Sequence, residues 1–302
     1  MLKIAQCTDS FLPVHDGVGR VVEAYARGLS ALENEVYVIT PMVAQGYRGR
    51  YPFEILDYLA MPVPGGSQAK AALAQLDVHY LARVGAHTFD VVHAHSPGSS
   101  GIEALRLAEK CRAPLIGTFH AKYIREYPTG NEDERQNQLG RAYLFDFFSR
   151  CDEIWTSSEE AKAFLAEHGF SGNVEVFDNG TGQEAASEAA RSRAREEFHL
   201  GATPALLFAG SLDSRKNLPL MFEAAALLRQ RDVRFQLLIA GSGPDEKHAR
   251  TLVKELGLTG TVRFLGPVSD ESLLGGLYAE SALYLCPVPG VNAGLAAREA
   301  AV

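Results

Sequence analysis

Cysteine is scarce in this 302-residue chain, and its placement excludes more than its number does. The four, Cys7, Cys111, Cys151 and Cys286, form no Cys-x-x-Cys pair and no tight cluster. A zinc ribbon needs close thiolate pairs and a disulfide scaffold needs a denser set, so the chain reads as one with reduced thiols. Long hydrophobic runs are missing as well. The opening stretch MLKIAQCTDSF holds no apolar core of signal-peptide length. The longest uncharged run, Ser281 to Ala297, is broken by Pro287, Pro289, Gly290 and Gly294 and reads as a buried strand and a loop. The expectation is a cytoplasmic protein. An excess of positive charge is missing too. The net charge is −8, which argues against a nucleic-acid partner. The first 150 residues are near neutral, with 15 bases and 16 acids, so the acidity lies in the second half. There is no Gly-x-Ser-x-Gly elbow, no P-loop and no short-period repeat.

What is present is an ordinary globular composition, 46% hydrophobic and 22% charged, in a length that suggests two domains. Short apolar runs alternate with amphipathic segments. Leu2–Cys7, Val36–Met42, Val91–Ala94, Pro114–Phe119, Glu153–Thr156 and Val174–Phe177 read as strands, and their near-continuous apolarity suits strands covered on both faces. After Gly17 a helical stripe runs through Val18, Val21, Val22, Tyr25, Ala26, Leu29 and Leu32. Ser157 and Glu160 form a capping-box signal for a helix over Glu159–His168. The alternation pauses between Asp178 and Leu200, a polar stretch read as a partly helical connection. It then resumes with strands at Ala205–Ala209, Phe235–Ala240, Val262–Leu265 and Ala282–Cys286 and helices at Asn217–Arg231, Pro244–Leu256 and Ser269–Ala279. This predicts an α/β protein with two Rossmann-like domains, 1–185 and 205–302, joined by a linker at 186–204. Such sheets bind ligands at the carboxyl ends of their strands.

Three strand-to-helix turns carry candidate chemistry. Thr8 to Pro13 leads into His15-Asp16-Gly17-Val18-Gly19-Arg20, a glycine turn of a shape that suits phosphate. A tight turn alone would also explain Gly17. Gly210-Ser211-Leu212-Asp213-Ser214-Arg215-Lys216 follows a strand and brings two cations to a helix entrance, where a bound anion would relieve their conflict with the helix dipole. Gly241-Ser242-Gly243-Pro244 lacks the last glycine of a dinucleotide fingerprint, so NAD is not expected. His93 and His95 share a strand face and His120 follows another strand. No third metal ligand is evident. His93 reads as a core histidine and His120 as the cleft candidate.

Taken in order, FLPVHDGVGR, DVVHAHSPGSSG, GTFHAKY, IWTSSEEAK, VEVFDNGTG, LLFAGSLDSRKN, LLIAGSGP, VRFLGPV and NAGLAAREAA resemble retaining glycosyltransferases of the GT-B fold. That is the group 1 and family 4 type, which includes sucrose synthases, bacterial mannosyltransferases and glycolipid glucosyltransferases. The resemblance implies two Rossmann-like domains facing a cleft. It implies transfer of a hexose from a nucleotide-diphosphate sugar (UDP- or GDP-linked), with retention and without a metal or cofactor. It assigns His120 to the transferred sugar. Gly17, with Gly19 beside it, is assigned to the donor diphosphate. Ser211, Arg215 and Lys216 fall at the cationic diphosphate turn, and Glu299 at the nucleotide ribose. His95 and Tyr123 are acceptor-side candidates.

The first glutamate of the family's pair falls at Val291, and Ser211 stands where an arginine is often found. Family members continue past the Glu299 helix, so the chain reads as C-terminally shortened, with its second domain incomplete. Two other readings stay open, a non-catalytic sugar-nucleotide binder and a sugar-nucleotide epimerase. The acceptor implied is a lipid or a saccharide. Arg106, Lys110, Arg112, Lys122 and Arg125 are candidates for a basic face that touches the inner membrane surface, or for a solvated helix face.

Overall fold

The structure, a computed structural model, describes residues 1–12, 17–43, 46–47, 50–62, 70–72, 74–120, 123, 134–181, 184–288 and 294–302. The chain divides into two units, Met1–Gly180 and Thr181–Val302. In the first, seven strands form a wholly parallel sheet: β1 (Lys3–Cys7), β2 (Glu35–Pro41), β3 (Glu54–Tyr58), β6 (Val91–Ala94), β7 (Leu115–Phe119), β8 (Glu153–Thr156) and β9 (Val174–Val176). Their order is β3-β2-β1-β6-β7-β8-β9. A small antiparallel ribbon, β4 (Ala60–Pro62) with β5 (Lys70–Ala72), stands apart from it. The helices are α1 (Gly17–Ala31), α2 (Val78–Gly85), α3 (Ser99–Cys111), α4 (Glu134–Ser149) and α5 (Glu159–Glu167).

Alternation along the strands explains the continuous apolar runs. Val36 and Val38 pack with Phe11, Val18, Val22 and Ala26 beneath α1. Tyr37 and Ile39 turn to the other face, among Tyr58, Tyr80, Leu107 and Phe148. Burial of each such side chain is worth about 1.5–3 kcal/mol. The cap of α5 is Ser158 rather than Ser157, because the Ser158 hydroxyl accepts from the Ala161 N–H at 3.2 Å.

The second unit carries a parallel sheet, β12-β11-β10-β13, built from β10 (Ala205–Ala209), β11 (Gln236–Ala240), β12 (Val262–Gly266) and β13 (Leu283–Tyr284). Its helices are α6 (Glu188–Glu197), α7 (Leu218–Gln230), α8 (Glu246–Glu255), α9 (Glu271–Glu280) and α10 (Gly294–Ala300).

The segment expected as a linker is therefore part of this unit. Helix α6 lies on α9 so closely that a Cβ on Gly276 would sit 2.2 Å from the Ala190 carbonyl oxygen. Ala194 and Phe198 join the core there with Leu207, Leu238 and Leu277. Strand β3, α2 and α4 do not stand out in the sequence pattern. Cys7 is buried and Cys111, Cys151 and Cys286 are half-buried. Among the described residues no helix is long and apolar enough to cross a membrane.

Candidate active site

In each parallel sheet the strand order reverses at one place, between β1 and β6 and between β10 and β13. Loops diverge at such a switch point and leave a crevice at the carboxyl ends. In the first unit the crevice begins with Asp9. Its Oδ1 accepts from the Ser99 hydroxyl at 2.7 Å and the Ser100 N–H at 2.8 Å. Helix α3 has Gly98 at its N-cap, which offers no side-chain cap, so the carboxylate of Asp9 takes that role and meets the positive end of the helix dipole. A Cβ on Gly98 would lie 2.3 Å from Asp9 Oδ2.

Beside this cap lies a layer of buried histidines. His93 and His95 point to the α1 face, their ring centroids 4.0 Å apart. His93 Nε2 pairs with Thr118 Oγ1 at 2.7 Å. His95 Nε2 donates to Gln6 Oε1 at 2.6 Å, which leaves Nδ1 as the bare nitrogen. That atom finds no hydrogen-bond partner among the described residues. Tyr25 meets the edge of His93, and Trp155 closes the layer at 5.0 Å. The ring of His120, just past β7, stacks on His95 at 5.7 Å.

Burial pushes His93 down to about 3. Burial first, and then the neighbouring His93 and His120 rings, push His95 well below the ordinary value. Both are neutral at pH 7. Unfolded histidine protonates near 6.5 while folded His93 resists to about 3, so the unfolded state gains protons first as the pH falls. Stability of the first unit is expected to drop from about pH 6.5 downward, by up to about 1.4 kcal/mol per pH unit for each histidine. Trp155 is the only tryptophan. Its emission during urea unfolding at pH 7 and pH 5 measures this, and equal midpoints would contradict it.

Among the expected residues, Gly17 opens α1 and is exposed. A Cβ there would meet no described atom within 4 Å, and its φ lies outside the left-handed region. Neither strain nor crowding within the described fold calls for glycine at this position. Gly19 is buried in the same turn. His95 and Tyr123 are both buried. The Tyr123 hydroxyl donates to the His95 carbonyl at 3.3 Å and its ring meets Phe119. The loop 13–16, Lys122, Arg125, Val291 and the side chain of Arg215 lie outside the described residues.

Arg106, part-exposed on α3, is paired with an acid. Its guanidinium Nε donates to Glu103 Oε2 at 2.8 Å, and Tyr80 holds the same fully buried carboxylate at 2.6 Å. Unpaired, that carboxylate would be costly inside the unit.

In the second unit two glycine turns lie one on the other. The Gly210 N–H donates to the Ala240 carbonyl at 2.9 Å and the Leu212 N–H to the Ser242 carbonyl at 3.0 Å. Gly241 has φ +144°, and a Cβ there would fall 1.9 Å from the Gly210 carbonyl oxygen. These glycines serve backbone contact between turns, a role that the dinucleotide comparison could not show. The Ser211 hydroxyl donates to Asp213 Oδ2 at 2.7 Å. Arg215 and Lys216 sit on a 3-10 turn, Ser214–Lys216, and Asn217 in the left-handed region separates them from α7. The cations thus precede the helix, and their conflict with its dipole is smaller than the sequence suggests. The Lys216 side chain is half-buried, and its Cε is 4.0 Å from a Cβ built at Gly210. Glu299, on α10, is 3% exposed, and the Tyr278 hydroxyl donates to its Oε2 at 3.3 Å. Among the described residues no three His, Cys, Asp or Glu side chains form a metal-holding group.

Comparison with known proteins bears on these crevices. The profile of Glycosyltransferase Family 4 matches residues 15–183, and that of Glycosyl transferases group 1 matches residues 191–301. The chain is 30% identical over 224 residues to a D-inositol 3-phosphate glycosyltransferase of Pseudarthrobacter chlorophenolicus, covering 70% of this chain and 52% of that protein. It is 30% identical over 122 residues to an alpha-monoglucosyldiacylglycerol synthase of Acholeplasma laidlawii, covering 40% of this chain and 30% of that protein. The chain thus spans about half, or less, of the length of these relatives. Sucrose-phosphate synthase from Thermosynechococcus elongatus shares the fold with a TM-score of 0.75 at 18% identity, covering 99% of this chain and 79% of that one. Anabaena HepE in complex with UDP-glucose shares it with a TM-score of 0.66 at 17% identity, covering 94% and 73%.

Proposed function

We propose, from the premise that the chain belongs to Glycosyltransferase Family 4, that it transfers a hexose from a nucleotide-diphosphate sugar to an acceptor hydroxyl, with retention and without a metal. The observation that carries the reading is the Gly210–Lys216 turn. It places a lysine at the carboxyl end of β10, beside the switch point of the second sheet. A cation there stabilises the charge that builds on a departing diphosphate. The relatives named for glycosyl transfer support it, and so does a fold-mate that holds UDP-glucose. In this reading Gly17 and Gly19 let backbone N–H groups approach the diphosphate, and in the second unit Ser211 and Arg215 assist Lys216 in holding it. His120 meets the transferred sugar and Glu299 meets the ribose. The acceptor is a lipid or a saccharide. The inositol phosphate and diacylglycerol chemistries in the relatives' names are the first to try.

The test is donor consumption over a panel of UDP- and GDP-sugars, with and without acceptor. Consumption that requires acceptor supports transfer. Isomerised donor without acceptor, or binding without consumption, would overturn it. Gly17→Ala gives a second check. Alanine is favoured over glycine inside a helix by roughly 0.5–1 kcal/mol, so the melting temperature should hold or rise. The value of kcat/KM should fall by at least about tenfold, because a side chain would stand where the donor approaches. Full activity in this variant would remove Gly17 from the site.

A further inference from the structure

Asp9 brings an open acceptor atom to the crevice of the first unit. It stands just past the carboxyl end of β1 and is half-buried. Its N–H donates to the Ser96 hydroxyl at 3.2 Å, and its Oδ1 takes the Ser99 hydroxyl and the Ser100 N–H. The buried Tyr58 hydroxyl braces Ser99 at 3.3 Å. Oδ2 is left over. Among the described residues it takes no hydrogen bond and meets no cation, and it is not one of the enclosed polar atoms, so it opens to solvent. Gly98 leaves it room, since a Cβ there would collide with it. Strands β6 and β7 follow β1 in the sheet, and their carboxyl ends lead to Ser96 and to His120. Asp9 and His120 thus share one edge of the sheet.

We propose that Asp9 selects the acceptor, taking a hydroxyl of an uncharged molecule on Oδ2 and turning phosphorylated acceptors away. This rests on the transfer reading given above. The N-terminus of a helix such as α3 ordinarily suits a phosphate. Here Asp9 fills that place and uses the Ser100 N–H. What it presents outward is a carboxylate oxygen, which only accepts. A hydroxyl donates to such an atom, whereas a phosphate meets like charge, a device by which sites reject wrong partners. Of the two chemistries in the relatives' names, diacylglycerol fits this edge and inositol phosphate does not.

The test is initial rates at saturating donor, with dioctanoylglycerol and octyl glucoside as uncharged acceptors and D-inositol 3-phosphate as the charged one. Wild-type protein should favour the better uncharged acceptor in kcat/KM by at least about tenfold, the size of one charge-assisted contact. Asp9→Asn keeps the cap, because asparagine caps a helix about as well as aspartate, and it sets an N–H donor where Oδ2 stood. The preference should then shrink by at least about tenfold, with a melting temperature near that of wild type. A purely structural role would slow all acceptors alike and leave the ratio, and that result overturns the inference. So does a wild-type preference for inositol phosphate. Should Asp9→Asn not fold, salt decides on the wild-type protein. Raising ionic strength from about 0.01 M to about 0.15 M shortens the screening length from ~30 to ~8 Å. The preference should narrow by about threefold, and a preference that holds or widens overturns the inference. Turnover with none of the three acceptors overturns the inference alone if a wider acceptor panel still consumes donor. If that panel is silent too, the transfer reading falls with it.

Discussion

Gly241→Ala is expected to unfold the second unit and leave the first folded. The alanine Cβ would overlap the Gly210 carbonyl oxygen at 1.9 Å, and φ at this position is +144°. The obstacle is backbone on both sides, so no rotamer change relieves it. Overpacking and backbone strain together should cost about 3 kcal/mol or more. That is a large share of the roughly 5–15 kcal/mol that holds a domain together. Gly243→Ala should act alike, because its Cβ would fall 2.3 Å from the Leu212 carbonyl oxygen. Urea unfolding followed two ways checks this. Trp155, the only tryptophan, reports the first unit alone, whereas far-UV circular dichroism reports both. The dichroism transition should gain an early phase while the Trp155 midpoint stays put. An unchanged dichroism curve would contradict the packing of the two turns.

Lys216→Ala is expected to lower kcat by roughly 10²-fold, the range for removing one preorganised group that meets developing charge. The melting temperature should change little, since Lys216 is half-buried on a short turn outside the main helices. KM should rise less than kcat falls, because the leaving diphosphate carries more charge in the transition state than in the bound donor. Lys216→Arg should recover part of the loss by keeping the cation. Steady-state kinetics at saturating donor decides it, and an unchanged kcat for Lys216→Ala would remove the lysine from the mechanism.

Strand β10 could be read to the residue, because both of its faces are covered and ALLFA has no competing pattern. Strand β3 could not. It is an edge strand, EILDY, whose acidic residues interrupt the apolar run. In the sequence helix α6 reads as a connection because it packs through Ala190 and Ala194 against α9. A helix that docks through small side chains shows no large apolar stripe. Arg106 looked available to a surface because its partner Glu103 is anchored by Tyr80, which comes from a different helix. Glu103 lies three residues from Arg106 on α3, and only the tertiary fold sets Tyr80 on that carboxylate.

The candidate site shows the same division. Gly17, Lys216 and Glu299 fell in recognisable turns and motifs. The contacts that set their surroundings, Asp9 on α3, Gln6 on His95 and Tyr278 on Glu299, link positions far apart in the chain. No spacing rule could report them.

The most direct test of the central claim is the anomeric configuration of the first product, followed by proton NMR from an α-linked donor in the presence of EDTA. Transfer as proposed yields the α-glycoside at an undiminished rate. A β-glycoside, or turnover that stops with EDTA and returns with a divalent cation, would contradict it.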